Sequence, residues 1–580
     1  MAPQPRGAGA GSRDAFGAYV TPSSAVRIRT RTAEREPEQK PTDERTSRAR
    51  LRNGVSVLRR VAHSHVGSYT AAKSSPVRAG VPGRCGKSLM WLSLTWINAP
   101  MRGSARLWRT SLRRRRMKSH AIGRWIWSLA MAMALVPGSG RALPAFNRQT
   151  GQNCVACHAG GQFPELTPYG RLFKLTGYTL GERNVIPLSV MGLLSQSSVR
   201  NTSKSPDSSA DFQKNADPIF ATASVFAAGK ITDNIGAFLQ VTYDHYGSQS
   251  ADGRFHGHSS ADNMEVRYAD RWADGARDVI YGVSVNNNPS MSDPWNSAAA
   301  WMQYVPVPSP TSSRFIDGNA PYPGFAAGGN IAGISGYVFW GGQLYAEVGG
   351  YRSARGLTSF MSAGVPDAEK TRLRGTNPYW RLAFTHAWGA HDAMIGLSGM
   401  TADVYDDPLD TSDPTTLHRF RDIGVDAQYQ FLLDPHAVTV QLAYMHDVHR
   451  PPAFLAHQPV FDVEGNALPD TNARDSLDVV RAKASYIYRA RYGLSLSLFS
   501  QTGSRDSALY DPTPVAGNVS MSPAVRGWTS EVFWTPVQYL RVGLQYTAYD
   551  KYQGASRNYD GAGRNASDNG SLFLYLWGAY

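Results

Sequence analysis

The last two thirds of the chain, residues 185–580, repeat one pattern in which apolar and polar residues alternate. In one such run, Val241 and Tyr243 alternate with Gln240 and Thr242. Successive side chains of a β-strand point to opposite faces, so a period of two predicts strands with one apolar and one polar face. No stretch supplies the roughly 18 consecutive apolar residues of a membrane-spanning helix. The pattern therefore excludes a helical membrane protein and favours an all-β fold.

The connections between these runs follow a second pattern, in which short turns alternate with long polar loops. The short ones lie at residues 232–234, 273–275, 341–342, 388–390, 433–435, 490–492 and 535–537. The long ones lie at residues 199–216, 247–261, 289–327, 352–376, 404–417, 449–473, 504–523 and 552–569. Outer-membrane barrels alternate short periplasmic turns with longer external loops. We therefore predict a barrel of about 16 antiparallel strands rather than a soluble β-sandwich.

The sequence Cys154-Val155-Ala156-Cys157-His158 is the strongest chemical signal in the chain, which has one other cysteine, Cys85. Cys-x-x-Cys-His is the attachment site of a c-type haem, with two thiols one turn apart and an adjacent imidazole to ligate the iron. A structural zinc site would need about four Cys or His ligands, and no second pair is near in sequence. A redox dithiol would need a βαβ context, and a plain disulfide would not need the histidine. We expect one haem c on Cys154 and Cys157, with His158 as axial ligand.

The haem motif belongs to a small segment, residues 143–184, that precedes the predicted barrel at 185–580. About 40 residues bury too little apolar surface to fold well alone, so something larger must surround them. Thr167 followed by Pro168 predicts the start of a helix that runs to Leu175 and stops before Gly177. A barrel of about 16 strands encloses a lumen that could hold this segment.

These residues resemble the fused monohaem cytochrome c–porin family, which includes outer-membrane iron-oxidase-like cytochromes. The resemblance rests on residues 145–158, which read AFNRQTGQNCVACH, and on the later residues Pro164, Leu166, Gly170-Arg171, Phe173-Lys174 and Gly177-Tyr178. It covers residues 144–180 closely and the remainder only in architecture. The resemblance implies one haem at the N-terminal end of an outer-membrane barrel, with Fe(II) as the electron donor.

Basic residues are concentrated before the haem segment. Residues 1–142 hold 27 Lys and Arg but 6 Asp and Glu, so the rest of the chain holds 33 and 39 of the totals of 60 and 45. The basic excess lies outside the predicted fold, and we expect no nucleic-acid partner. Residues 117–142 have the positive flank, apolar core and small-residue exit of a signal peptide. We interpret residues 1–116 as an upstream mis-translation or as a disordered basic extension.

The second axial ligand is left open by the sequence. Met191 is the first Met or His after the motif, and a methionine ligand would raise the potential, but it lies on the first predicted strand, where it could equally face lipid. A histidine reaching inward from the barrel, such as His245, His386 or His446, is an alternative, as is an open site. The aspartates between Asp403 and Asp413 and the pair His446 and His449 are possible cation ligands, although solvated surface groups are the simpler interpretation.

Together these features predict an electron-transfer protein of the outer membrane, in contact with its lipid. Tunnelling decays steeply with distance, so one haem must lie within the lumen to serve a donor beyond a hydrocarbon layer roughly 30 Å thick. We expect electrons to pass from extracellular Fe(II) or another reductant to a periplasmic cytochrome or other carrier. The alternatives are a porin-like channel with a haem plug or sensor, and an outward conduit to an external acceptor.

Overall fold

A computed structural model describes residues 145–161, 165–201, 215–249, 255–275, 277–298, 330–364, 370–462, 465–510, 512 and 518–580. The expected signal peptide and the basic residues 1–116 lie outside this part of the chain. No helix within the described residues is long and apolar enough to cross a bilayer.

The structure is dominated by antiparallel strands. They are β1 Leu188–Val199, β2 Pro218–Lys230, β3 Ile235–Gln249, β4 Phe255–Asp274, β5 Arg277–Asn286, β6 Ile331–Trp340, β7 Leu344–Ser353, β8 Asn377–Trp388, β9 His391–Tyr405, β10 Leu417–Leu433, β11 His436–Arg450, β12 Val460–Phe461, β13 Ala467–Leu468, β14 Asp475–Tyr488, β15 Tyr492–Gly503, β16 Val525–Val537, β17 Leu540–Lys551 and β18 Ser571–Ala579. Strands β12 and β13 have two residues each and pair with each other in a separate two-stranded sheet.

The other sixteen strands of the described chain form one closed barrel. Each pairs with its neighbours in sequence order, and β11 pairs with β14 because β12 and β13 are not part of the barrel. The barrel closes where β1 pairs with β18, from Met191 opposite Ala579 to Val199 opposite Ser571. Closure leaves no strand edge exposed. The prediction of about 16 antiparallel strands is confirmed.

Three of the predicted connections differ in the structure. The expected long loop at residues 247–261 is mostly strand, because β3 continues to Gln249 and β4 begins at Phe255. The expected turn at residues 535–537 lies instead after Val537, because β16 continues past Pro536 through an irregular register in which Trp534 pairs with Val542 and Val537 with Leu540. Proline is tolerated at such irregularities because it has no ladder hydrogen bond to give. The expected external loop at 289–327 also begins differently: residues 289–295 are all buried, including Trp295.

The two faces of the barrel wall differ in polarity as predicted. Neighbouring residues Glu347 and Val348 are 1% and 68% exposed, and Ser335 is buried while Ile334 is exposed. Exposed Trp272, Trp340, Trp388 and Tyr492 stand beside four of the short turns. An apolar outer wall that ends in aromatic residues, around a polar interior, is the arrangement of transmembrane barrels. The closed barrel therefore has the two faces expected of a barrel that spans the outer membrane.

Four short α-helices lie within the described residues: α1 Ala145–Thr150, α2 Cys154–Cys157, α3 Pro168–Leu175 and α4 Pro289–Ser292. Turns of 3-10 helix lie at Ala159–Gly161, Gly356–Met361, Pro414–Thr416 and Ala566–Asn569.

The predicted helix over Pro168–Leu175 is confirmed with the predicted cap. The Thr167 hydroxyl accepts a hydrogen bond from the backbone N–H of Gly170 at 3.1 Å, and Pro168 occupies the first turn. Gly177 takes a φ of 71° just beyond the helix, a conformation that glycine adopts at little cost.

Candidate functional site

Residues 145–161 and 165–182, which together we call the lumen segment, lie inside the barrel. The Tyr178 hydroxyl donates a hydrogen bond to Glu265 on β4, and the ammonium of Lys483 on β14 pairs with the carboxylate of Glu165. Seven strands separate β4 from β14 in either direction around the wall. Only a segment within the lumen can contact both sides of a closed barrel, so the barrel supplies the surroundings that the segment was expected to need.

The Cys-x-x-Cys-His motif forms a tight, partly buried turn within this segment. Cys154 and Cys157 begin and end the helix α2, and they form no disulfide with each other or with another described residue. The backbone N–H of His158 donates to the carbonyl of Cys154 at 2.7 Å, and His158 pairs with Leu166 in an isolated bridge. The arrangement places two thiols one helical turn apart, with the imidazole at the next residue.

The His158 side chain is 2% exposed. Its burial lowers the pKa of the imidazole to about 3, because desolvation disfavours the charged form. His158 is therefore neutral at physiological pH. A neutral imidazole keeps a lone pair on one ring nitrogen and is the form that ligates a metal.

The motif sits at the short-turn end of the lumen. The Cys154 thiol lies 3.6 Å from the side-chain oxygen of Gln538, in the turn between β16 and β17. A Cβ added to Gly160 would lie 2.8 Å from the Cβ of Ile487 and 3.0 Å from that of Ala437, and this glycine has a φ of 62°. Both the closeness and the conformation require glycine here. The motif therefore packs directly on the inner wall at the short-turn end of the barrel.

An apolar cluster surrounds Cys154. Phe146 contacts Phe173 edge-on at 4.8 Å and stacks on Tyr178 at 5.3 Å, measured between ring centroids. Met191 belongs to the same buried cluster. The alternation along β1 turns Met191 into the lumen, which removes the possibility that it faces lipid. Its role as an iron ligand stays a prediction.

The histidines considered as inward-reaching ligands lie elsewhere. His386 is exposed on the outer face and stacks on Trp388, and His446 lies on the outward face of β11, where it bonds Asp478. Both expectations were wrong. Alternation shows that neighbouring residues of a strand face opposite sides, but where both sets contain polar residues it does not show which set faces inward. The side chain of His245 lies outside the described part of the structure.

Buried polar contacts hold the lumen segment in place. The guanidinium of Arg171 lies 2.6 Å from the carboxylate of Asp392 on β9 and donates to Gln430 on β10 at 3.3 Å. The Lys174 ammonium donates to the backbone oxygen of Asp293 at 2.7 Å, so the chain after β5 meets the segment from the other side. Sequence reasoning did not single out these contacts. The only local signal was that Asp392 and Gln430 fall on the polar faces of their strands.

Burial lowers the pKa of Lys174 to about 8, and the carboxylates of Glu265 and Asp293 oppose that effect. Lys174, which holds the lumen segment by a hydrogen bond, thus loses its proton more easily than an exposed lysine.

The far, long-loop end of the lumen carries a different polar group. His418 and His449 face inward there, with 2.9 Å between Nδ1 of His418 and Nε2 of His449. Asp406 accepts from His418 at 3.0 Å, while Asp410 and Asp413 cap turns within their own loop. Among the described residues, no group of three or more His, Cys, Asp or Glu side chains is arranged to hold a metal ion. His446 and His449 point to opposite faces because they are three residues apart on one strand.

Comparison with known proteins gives structural likenesses only. No protein-family model and no curated protein matches the chain. OmpF of Salmonella typhi, solved with daunomycin, is similar at 10% identity and a TM-score of 0.37, over 68% of this chain and 97% of that one. OmpT of Vibrio cholerae has 10% identity and a TM-score of 0.35, over 68% and 99%. The channel DcaP of Acinetobacter baumannii has 10% identity and a TM-score of 0.37, over 68% and 96%.

Proposed function

We propose that the protein carries electrons across the outer membrane through one haem c, held covalently by Cys154 and Cys157, with His158 on the iron. The proposal draws on the sequence motif, on two thiols placed one helical turn apart with Cys154 in an apolar cluster, and on a buried neutral imidazole at the next residue. When bound, the haem would supply an iron that gains and loses one electron. The observation that carries the proposal is the location of the motif inside a closed barrel.

The chain's own residues would insulate and position this centre. The barrel wall excludes lipid, and the buried contacts of Arg171 and Lys174 fix the lumen segment against it. Helix α2 nevertheless leaves one side open to the periplasmic end, where Val155 is 44% exposed. A periplasmic cytochrome or other carrier could approach the attachment edge there, within a short tunnelling distance.

The electron donor would come from the long-loop end, and extracellular Fe(II) or a similar reductant is the proposed one. Because the motif lies at the short-turn end, most of an apolar band roughly 25 Å tall separates it from the outside. A small donor would have to enter the lumen to come within tunnelling range. The buried carboxylates of Asp422, Asp447 and Asp475 on the inner wall near the long loops favour a cationic donor over an anionic one.

The test is anaerobic addition of Fe(II) to the purified, oxidised protein in detergent, with the reduced haem absorption followed over time. We expect wild-type protein to carry covalent haem on a denaturing gel and to be reduced by Fe(II). A variant with both Cys154→Ser and Cys157→Ser should insert as a barrel but carry no covalent haem. Absence of haem from wild-type protein matured by a cytochrome c assembly system would refute the proposal. Reduction by dithionite but not by Fe(II) would leave the haem and remove Fe(II) as donor, favouring another reductant or an outward conduit.

A second candidate is a diffusion porin whose lumen segment serves as a plug or sensor. The closed sixteen-stranded barrel with a polar inner wall favours it. Conductance of the full chain in planar bilayers separates the two functions. A steady conductance like that of an open porin, with the haem segment present, would favour the channel; a nearly closed lumen would favour the insulated conduit.

A further inference from the structure

Two rungs of polar side chains lie on the inner wall just beyond the haem motif. Gly160 packs on Ala437 of β11 and Ile487 of β14, which are paired in register. Toward the long loops, the next inward-facing positions of β11, β14 and the neighbouring strand β10 are polar. The lower rung is Gln430, Thr439 and Ser485, and the upper rung is Gln428, Gln441 and Lys483. At about 3.3 Å per residue, the rungs lie roughly 7 and 13 Å beyond the Gly160 contact.

Most of these side chains are buried with polar atoms that have no hydrogen-bond partner among the described residues. They are the amide nitrogen of Gln430, both amide atoms of Gln428, and the hydroxyls of Thr439 and Ser485. An unsatisfied buried donor costs about 1–3 kcal/mol, and natural proteins satisfy some nine-tenths of such groups. Four neighbouring exceptions on one patch of wall indicate a ligand that accepts hydrogen bonds.

A buried cation accompanies these donors. Lys483 is buried and pairs with one oxygen of Glu165, whose other oxygen has no hydrogen-bond partner among the described residues. A small gap beside the upper rung is lined by Gln428, Gln441, Arg481 and Lys483, and also by Asp426. Hydrogen-bond donors that surround a buried ammonium suit a carboxylate.

We propose that the two rungs form the seat of the haem propionates, with Lys483 as their charge partner and Gln430, Thr439 and Ser485 as hydrogen-bond donors. The inference rests on the proposed haem attachment. A haem bound by its vinyl groups to Cys154 and Cys157 carries its two propionates on the opposite edge. The wall beyond the motif presents its unpaired donors on that side.

Lys483 would be a positioning residue that also sets the potential. A positive charge beside the propionates stabilises the reduced haem, which carries one positive charge fewer on iron than the oxidised form. Removing that charge should therefore favour oxidation. Removing the hydroxyls of Thr439 and Ser485 should act in the same direction but more weakly, because no full charge is lost.

The experiment compares full-length protein carrying Lys483→Gln with a second variant carrying Thr439→Val and Ser485→Ala. The readouts are the propionate bending bands in resonance Raman spectra and the equilibrium constant for reduction from a spectroelectrochemical titration. We expect shifted bands in both variants and a roughly tenfold fall in that constant for Lys483→Gln, which is about 59 mV for one electron. Lys230→Gln is the matched control, since Lys230 pairs with Asp233 at a turn, and it should match wild type.

Unchanged propionate bands and potential in both variants, at wild-type haem content, would overturn the propionate seat while leaving the haem itself in place. Wild-type protein without covalent haem would instead refute the proposed function. The variant at Thr439 and Ser485 keeps the Lys483 ion pair, so it decides the question even if Lys483→Gln prevents docking of the lumen segment.

Discussion

Replacing Arg171 by methionine should release the lumen segment from the barrel wall. The guanidinium lies 2.6 Å from Asp392, with both side chains about 95% buried, and it also donates to the carbonyl of Leu166 at 3.0 Å. Arg171→Met keeps most of the side-chain volume but leaves the carboxylate of Asp392 buried without its cation. Breaking a buried pair in this way costs about 3–5 kcal/mol.

That cost should appear in the docking equilibrium of the segment. Since each 1.4 kcal/mol is a factor of ten, undocked protein should become roughly 100 to 4,000 times more populated. We expect undocking to open the lumen, so recordings from single barrels in planar bilayers should show frequent opening events in Arg171→Met that are rare in wild type. A variant with Arg171→Met and Asp392→Leu removes both charges and should recover most of the closed state.

Two results would refute this reasoning. If Arg171→Met conducts no more often than wild type, the buried pair does not hold the segment. If the double variant opens as often as the single one, the effect comes from lost packing rather than from an uncompensated charge.

Three further predictions concern the segment and the wall. Gly160→Ala should weaken docking of the lumen segment by about 2–3 kcal/mol, because it adds a clash with the barrel wall to the strain of a positive φ. The control Gly151→Ala, at a φ of 65° with nothing within 4 Å, should cost only about 1 kcal/mol. Equal opening frequencies in the two variants would contradict the clash. Docking should tighten up to tenfold per pH unit as pH rises from about 8 to 10, because Lys174 has a folded pKa of about 8 and an unfolded value near 10.4. Lys174→Met should remove this pH dependence of the opening frequency, and its persistence would assign the titration to another group. Val348→Arg, on the outer wall, should lower the free energy of barrel unfolding in lipid by about 2–4 kcal/mol if the residue lies near the midplane. The control Leu357→Arg, at a residue 97% exposed outside the strands, should change that free energy little. Equal effects of the two variants in urea titrations would show that Val348 does not face lipid.

Local signals in the sequence predicted most of the barrel and one helix. The alternation of Gln240 and Thr242 with Val241 and Tyr243 depends only on strand geometry, and the structure turns the first pair inward and the second outward. Thr167 and Pro168 begin α3 because a cap is satisfied within one helical turn. The wrong prediction of a turn at residues 535–537 also has a local cause, because proline marks a turn in most contexts. Only the pairing of β16 with β17 shows that an irregular strand continues past Pro536 instead.

The sequence by itself determined the strand count, the order of turns and loops, and the two thiols and imidazole of the motif, since each depends on residues close together in the chain. Only the tertiary structure decided which partners surround that motif. Lys483 and Glu165 are 318 residues apart, and Tyr178 meets Glu265 across 87. Such contacts follow from closing the barrel around the segment, because closure brings the inward faces of distant strands around one lumen. The periodicity of each strand carries no information about which inward-facing residues meet the segment.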